Sequence, residues 1–74
     1  MEISVSVEFY YIKVYINKLL HICILNNQFV GFNSYEKNSG SYVIVFITKT
    51  NKFKVEYDQR DKWVSVLKEL ENKL

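Results

Sequence analysis

The sequence predicts an α+β fold: an antiparallel β-meander of five or six strands, forming a curved sheet or partial barrel, with one C-terminal amphipathic helix packed on it. Three observations indicate this fold. Apolar and polar residues alternate with a period of two over most of the chain before residue 58, and the period then becomes that of a helix. The segments between the apolar runs are short, which favours hairpins. A chain of 74 residues is long enough for a single domain with a small core.

The first two strands are predicted at residues 2–9 and 11–16. Apolar side chains occupy the odd positions up to Phe9 and the even positions from Ile12 onward. One face of a sheet stays apolar across such a change of phase only if a bulge or a break intervenes. We therefore expect a bent strand near Tyr10, with Phe9 facing the core.

The next two strands are predicted at residues 19–25 and 28–34. Asn17 and Lys18 are the only turn-forming residues before the first of them, so the sequence predicts a tight hairpin at that point. Beyond the second, Gly40 lies in a segment rich in Asn and Ser. A glycine there supplies the left-handed backbone conformation that a hairpin loop of this length commonly requires.

The fifth and sixth strands are predicted at residues 42–48 and 53–57. The fifth is apolar on both faces, which predicts a central strand or one covered on both sides. The sixth alternates, so its odd-numbered residues should face the core. Asn51 lies in the connection between the two strands, and we expect it to adopt a positive φ angle.

The helix is predicted at residues 59–73, with Asp58 as its N-cap. Asp61 adds negative charge to the first turn, where the helix dipole favours it. The apolar positions follow helical spacing and are Trp63, Val66, Leu67, Leu70 and Leu74. Because an isolated helix of this length is marginal in water, this one should pack on the sheet, with Trp63 as its main anchor.

His21 and Cys23 are the one pair that raises the question of metal binding or catalysis. Residues i and i+2 of a strand share a face, but two ligands are too few for zinc without carboxylates from elsewhere or a symmetric partner chain. The chain also lacks a glycine-rich phosphate loop or oxyanion turn. We therefore expect no enzyme activity, no cofactor and no metal site within one chain.

The single cysteine excludes an internal disulfide, which favours a reducing compartment. The N-terminal residues alternate and carry two glutamates, unlike a signal peptide or a membrane span. The formal net charge is +2, from ten Lys and Arg residues against eight Asp and Glu residues. We expect a cytoplasmic protein that does not contact a membrane.

Aromatic residues make up 16% of the chain, more than one sheet face under one helix is expected to bury. Exposed rings are typical of partner-binding surfaces, although cross-strand aromatic pairs also stabilise sheets. We interpret the chain as a protein-binding module that docks on another protein or on a second copy of itself, through an exposed sheet edge or an aromatic hairpin at residues 29–35. The candidate partner-binding residues are Phe29, Phe32, Tyr35, Tyr10 and Tyr11.

The composition of the chain and its lack of catalytic motifs are the basis for a predicted biological setting. Asn, Lys, Ile and Tyr are frequent, as an AT-rich genome would encode, and the chain lacks catalytic motifs. Small proteins of this kind are typical of phages and mobile elements, which use them as inhibitors or adaptors of host proteins. We therefore expect a host protein as the partner.

The alternative is a single-stranded nucleic-acid-binding protein. Bases would stack on sheet aromatics while lysines near the turns meet the phosphates. The candidate residues for this function are Lys49, Lys52, Lys54, Tyr15 and Tyr42. The dispersed lysines and the single arginine make nucleic acid the second choice, because nucleic-acid sites normally concentrate basic residues.

Overall fold

The structure, a computed structural model, describes residues 2–73 and contains six strands and one helix. The strands are β1 (Ile3–Val7), β2 (Tyr11–Ile16), β3 (Leu19–Leu25), β4 (Phe29–Glu36), β5 (Tyr42–Thr48) and β6 (Lys52–Tyr57), and the helix is α1 (Arg60–Lys73). All paired strands are antiparallel. The predicted α+β class, with six antiparallel strands and a C-terminal helix, is confirmed. Leu74, assigned to the apolar face of the helix, lies outside the described residues.

The strands form two three-stranded sheets, β1-β2-β3 and β4-β5-β6, and not one continuous meander. The separation occurs between β3 and β4. There the Gln28 N–H donates to the carbonyl of Leu25 at 2.9 Å, and the Phe29 N–H donates to the carbonyl of Asn26 at 3.2 Å. These consecutive turn bonds replace ladder bonds, so the chain leaves the first sheet before the second begins.

The core lies between the two sheets and α1. Its buried side chains come from β1, β2 and β3 (Ile3, Ile12, Val14, Ile24), from β5 and β6 (Ile44, Phe46, Val55, Tyr57) and from α1 (Val66, Leu70). We call the face of each sheet that carries these residues its inner face and the opposite face its outer face. The helix contacts β1, β5 and β6 and thereby joins the two sheets.

The connection between β1 and β2 is a hairpin and not the bent strand expected from the change of phase. β1 ends at Val7, two residues earlier than predicted, and the Glu8 N–H donates to the carbonyl of Tyr11 at 2.8 Å. Chain reversal accounts for the phase change, because Val7 pairs with Ile12 across the hairpin. Phe9 therefore lies in the turn and is 83% exposed, which corrects its expected place in the core.

Two turns have the positive φ angles predicted from the sequence, and a third does not. Asn17 and Lys18 have φ angles of 50° and 68°, as a two-residue type I′ hairpin requires, and Gly40 has a φ of 89°. Asn51 does not adopt the positive φ angle expected of it. The hydroxyl of Thr48 stabilises that turn instead, since it accepts a hydrogen bond from the Asn51 N–H at 2.9 Å.

The second sheet is built around β5, which lies between β4 and β6 as its apolar sequence predicted. Residues 43–46 are all buried. β4 begins one residue later and ends two residues later than the predicted 28–34. β5 therefore contributes buried side chains to both faces of this sheet.

The helix begins at Arg60, and the carbonyl of Gln59 accepts the first helical hydrogen bond, from the Trp63 N–H at 3.3 Å. Gln59 is thus the N-cap residue, one position after the predicted Asp58. The Trp63 indole Nε1 donates to the carbonyl of Val43 at 3.1 Å, and its ring lies 5.1 Å from that of Tyr42. Trp63 anchors α1 to the second sheet through these contacts.

Candidate interaction surfaces

The exposed apolar side chains are concentrated on the first sheet. Among the described residues, those of the first sheet and its turns are Phe9, Tyr10, Tyr11, Leu19, Leu20 and Leu25, whereas those of the second sheet are Val30 and Tyr35. Six of the eight large exposed hydrophobic residues thus belong to one half of the fold. Contiguous exposed apolar surface marks binding sites more often than scattered single residues do.

The most exposed part of this surface is the hairpin turn between β1 and β2. The Phe9 and Tyr10 rings are 83% and 67% exposed and meet edge to face, with their centroids 4.8 Å apart. Tyr11 follows as the first residue of β2 and is also exposed. We call Phe9, Tyr10 and Tyr11 the aromatic turn. Its rings present large apolar contact area at one end of the first sheet.

Asn26 holds the aromatic turn from the neighbouring β3–β4 turn. Its backbone N–H donates to the carbonyl of Tyr10 at 2.9 Å, and its side-chain amide donates to the carbonyls of Phe9 and Glu8. Asn26 therefore binds the carbonyls of three consecutive residues, Glu8, Phe9 and Tyr10. This arrangement fixes the backbone beneath the exposed rings before any partner arrives.

Lys13 and Glu8 organise the base of the same turn. The Lys13 ammonium lies 3.5 Å from a Glu8 carboxylate oxygen and 5.4 Å from the centroid of the Tyr11 ring. The Ser6 hydroxyl donates to the same carboxylate at 3.3 Å. An ion pair this exposed contributes about 1 kcal/mol at most to stability. It places the Lys13 ammonium over the Tyr11 ring.

Further apolar side chains lie on the outer face of the first sheet, on either side of Lys13. Ile12 and Val14 are fully buried on the inner face, so the alternating residues of β2 point outward. In the β2–β3 register, Tyr11 pairs with Leu25 and Tyr15 pairs with Leu20. We call the surface formed by the aromatic turn together with Tyr15, Leu20 and Leu25 the apolar face.

Residues 29–35 expose fewer aromatic rings than the sequence predicted. Phe29 and Phe32 pack against the core, and of the predicted residues there only Tyr35 is exposed. The reason is a bulge at Val30, where the register with β5 shifts. One extra residue lets Phe29 and Phe32, three positions apart, both face inward while Val30 is 59% exposed. Tyr10 and Tyr11, predicted with them, lie in the aromatic turn.

His21 and Cys23 lie on β3, and both are exposed. The β2–β3 register passes from Leu20 to Ile22, so His21 is the extra residue of a second bulge. No group of three or more His, Cys, Asp or Glu side chains that could hold a metal ion occurs in the described part of the chain.

The residues of the nucleic-acid alternative are divided between the sheets. Tyr15 lies on the outer face of the first sheet, whereas Lys52 and Lys54 are exposed on the outer face of the second. Lys49 is exposed in the β5–β6 turn. Tyr42 is partly buried and its ring contacts Trp63, so it does not offer an open stacking surface.

The outer face of the second sheet is charged where that of the first is apolar. Lys37 and Glu56 form an ion pair of 3.1 Å that spans the central strand β5. Hydrogen bonds from the side chains of Lys37 and Ser41 lower the pKa of the Glu56 carboxyl. Val43 and Val45 face this side and are 2% and 8% exposed. Their neighbours on β6 are Glu56 and Lys54, and their neighbours on β4 are Tyr35 and Asn33.

Comparison of the chain with protein-family profiles, with curated proteins and with solved structures finds no significant match. Within residues 2–73, no helix is long and apolar enough to cross a membrane.

Proposed function

We propose that this protein is a small binding module that docks on another protein through the apolar face. The observation that carries the proposal is that five of the eight large exposed hydrophobic residues belong to the apolar face, all of those on the first sheet and its turns except Leu19. Aromatic residues dominate binding energy at protein interfaces, and rings at the centre of a contact contribute most. Phe9 and Tyr10 are suited to that central position.

The rigidity of the aromatic turn supports the same function. Binding loses affinity when a loop must be ordered, and a preformed loop avoids that cost. Asn26 already binds the carbonyls of Phe9 and Tyr10, and that of Glu8 just before them, in the free protein. The apolar face is therefore prepared to receive a complementary groove or helix on the partner.

The proposed setting is cytoplasmic, with the protein acting as a phage or mobile-element inhibitor or adaptor of a host protein. In this setting the protein acts by occupying a surface of its target. A second copy of the chain is the other partner of this class, because two apolar faces related by a two-fold axis would cover each other.

The experiment compares the parent with the double variant Phe9→Ser/Tyr10→Ser in affinity purification from the native host. Val30→Ser/Tyr35→Ser is the matched control, since it removes two exposed apolar side chains from the other sheet. We expect one protein at stoichiometric amounts with the parent and the control, and its loss with the aromatic-turn variant. Sedimentation of the purified chain reports self-association in the same three proteins. A stoichiometric partner retained by the aromatic-turn variant, or a parent that stays monomeric and recovers none, would contradict the proposal.

Single-stranded nucleic acid is the second candidate, favoured by one observation on the apolar face. Lys13 lies between Tyr11 and Tyr15 on the outward positions of β2, which places a cation between two rings. Titration with short oligonucleotides at two salt concentrations tests it. Binding at low salt that weakens at high salt supports this candidate, and its absence at low salt removes it.

A further inference from the structure

A groove runs between the edge strand β1 and the helix α1, and it meets the apolar face only at Phe9. Its first section, about 500 Å³, is lined by Ile3 and Val5 on one side and by Asp61, Ser65 and Glu69 on the other, with Glu2 at its end. Its second section, about 430 Å³, continues past Val7 to Phe9 and shares Glu69 with the first. The strand and the helix therefore run in the same direction along the groove.

The strand side of the groove presents free backbone groups. The carbonyl of Glu2 accepts from the Asn17 N–H at 2.7 Å, and the Glu8 N–H donates to Tyr11 at 2.8 Å, so the even-numbered residues of β1 bond to β2. Hydrogen-bonded positions alternate in an antiparallel pair. The N–H and C=O groups of Ile3, Val5 and Val7 therefore point away from β2. β1 is an edge strand, and no strand within residues 2–73 pairs with that edge.

The helix side of the groove carries negative charge. Asp61, Ser65 and Glu69 are spaced four residues apart, so they form one line along the helix facing β1. In the first section Glu2, Asp61 and Glu69 outnumber the single cation, Lys62, whereas the whole chain has a net charge of +2. The groove thus has a charge opposite to that of the protein around it.

We propose that this groove binds an extended, basic peptide segment of a partner protein by strand addition to β1. The peptide backbone pairs with Ile3, Val5 and Val7, and its cationic side chains meet the carboxylates of Asp61 and Glu69. Free edge strands accept added strands in this way. This inference goes beyond the proposed function, because it concerns a second surface and a partner of different chemistry.

The spacing of the two carboxylates sets the spacing of the cations. Asp61 and Glu69 are eight residues apart, which corresponds to about 12 Å along a helix. Four residues of an extended strand span about 13 Å, and residues i and i+4 of a strand point to the same side. The recognised segment therefore has two Arg or Lys residues four positions apart, with a small polar residue midway to face Ser65.

A second copy of this chain does not suit the groove in the register that uses Ile3, Val5 and Val7 of both strands. Antiparallel pairing of two β1 strands about Val5 would place Glu2 of one chain opposite Glu8 of the other. Like charges directly opposite each other destabilise a strand pair. The carboxylates that line the groove favour a basic segment, so the proposed occupant is a different chain.

The probe is a fluorescently labelled seven-residue peptide of threonine and serine with two arginines four positions apart. The control peptide has the same composition, with the arginines three positions apart and hence on opposite faces. We expect the first peptide to bind about three- to fivefold more tightly at low salt, which corresponds to the loss of one exposed ion pair. Equal affinity for the two peptides, or no binding of either, would overturn the proposal.

Protein variants make the test specific to the groove. Asp61→Asn and Glu69→Gln should each remove the preference for four-residue spacing, whereas Glu71→Gln, which removes the same charge from another face of α1, should keep it. Hydrogen exchange of the Ile3, Val5 and Val7 amides should slow when peptide binds. Unchanged exchange at all three amides would exclude strand addition. Tyr11→Ser/Leu25→Ser should retain peptide binding, so failure of this inference and failure of the proposed function give different results.

Discussion

The side-chain amide of Asn26 donates a hydrogen bond to the backbone carbonyl of Phe9, 17 residues earlier in the chain. The contact joins the β3–β4 turn to the aromatic turn and leaves the Phe9 ring free, since it uses only the backbone. The side-chain oxygen of Asn26, Oδ1, is buried without a hydrogen-bond partner among the described residues. The structure therefore tolerates an unsatisfied acceptor to keep the amide group aimed at the turn.

Asn26→Ala should loosen the aromatic turn and lower the free energy of unfolding by about 1 to 2 kcal/mol, because two side-chain hydrogen bonds are lost. Asn26→Asp should cost more, since a carboxylate would face the carbonyls of Phe9 and Glu8. Urea denaturation measures both effects. Asn27→Ala, in the same turn and exposed, is the matched control and should change stability little. Equal stability of Asn26→Ala and Asn27→Ala would show that the contact contributes nothing.

Replacement by serine should lower the free energy of unfolding at Phe32 and leave it almost unchanged at Phe9. The sequence favoured a mild effect at Phe32, as a residue of an exposed hairpin, but its ring packs against the core opposite the fully buried Phe46. Phe32→Ser should therefore destabilise the domain by about 2 to 4 kcal/mol, near the range for truncating a core phenylalanine. Phe9→Ser should stay within about 0.5 kcal/mol of the parent, as is usual for an exposed residue.

Thermal denaturation of the two phenylalanine variants separates these outcomes. If Phe32→Ser has the same melting temperature as the parent, residues 29–35 would again be a candidate docking surface. A Phe9→Ser protein that unfolds would mean that its ring supports the fold and is not available to a partner.

The elements with strong periodicity could be predicted from the sequence, because burial alone specifies them. β5 is apolar on both faces and lies in the centre of its sheet, and α1 follows the spacing of its apolar residues. The hairpin at Asn17 and Lys18 could be predicted for a local reason, since few other residues there form turns. These signals lie within single segments of the chain.

The surfaces could be predicted less well, because bulges and long-range contacts decide them. A period-two pattern does not show the extra residue at Val30 that turns both Phe29 and Phe32 inward. Nor does it show that Phe9 belongs to a turn, since an alternating run reads the same whether it ends at Val7 or Phe9. The contact between Asn26 and Phe9 has no sequence signature, because polar residues in turns are common.

Trp63→Ala should lower the free energy of unfolding by about 3 to 5 kcal/mol, enough to unfold a domain of this size. The substitution removes the ring contact with Tyr42 and the hydrogen bond to the carbonyl of Val43. Trp63→Phe keeps one aromatic ring but loses the indole donor and part of the packed ring surface, so it should cost less than Trp63→Ala, about 1 to 3 kcal/mol. Urea denaturation followed by circular dichroism measures both variants. Parent-like stability of Trp63→Ala would assign the indole to a binding surface instead.

Tyr57→Phe should stabilise the protein, an uncommon result for a core substitution. Tyr57 is 2% exposed, and its hydroxyl has no hydrogen-bond partner within residues 2–73. A buried hydroxyl without a partner costs about 1 to 3 kcal/mol, so removing it while keeping the ring should raise the free energy of unfolding by about 1 kcal/mol. Tyr35→Phe, at an exposed position, is the matched control for loss of a hydroxyl and should have little effect.

The same hydroxyl should make the parent more sensitive to alkali than Tyr57→Phe. Burial, and next the negative charge of Glu69, raise the pKa of Tyr57 above its ordinary value of 10.0. The folded state therefore favours the neutral phenol. Below the tyrosine pKa of the unfolded chain, the free energy of unfolding of the parent keeps its full value. It falls as the pH rises from there through the pKa of Tyr57 in the folded chain.

Unfolding free energies measured from pH 9 to 11 give the alkaline comparison. The difference between Tyr57→Phe and the parent should widen above about pH 10, by at most about 1.4 kcal/mol per pH unit for one proton. The widening is expected because the unfolded parent loses a proton that the folded parent keeps. A constant difference across this range would mean that the phenol ionises as readily in the folded chain as in the unfolded one. In that case water reaches the hydroxyl, and the gain in stability expected at neutral pH should be absent as well.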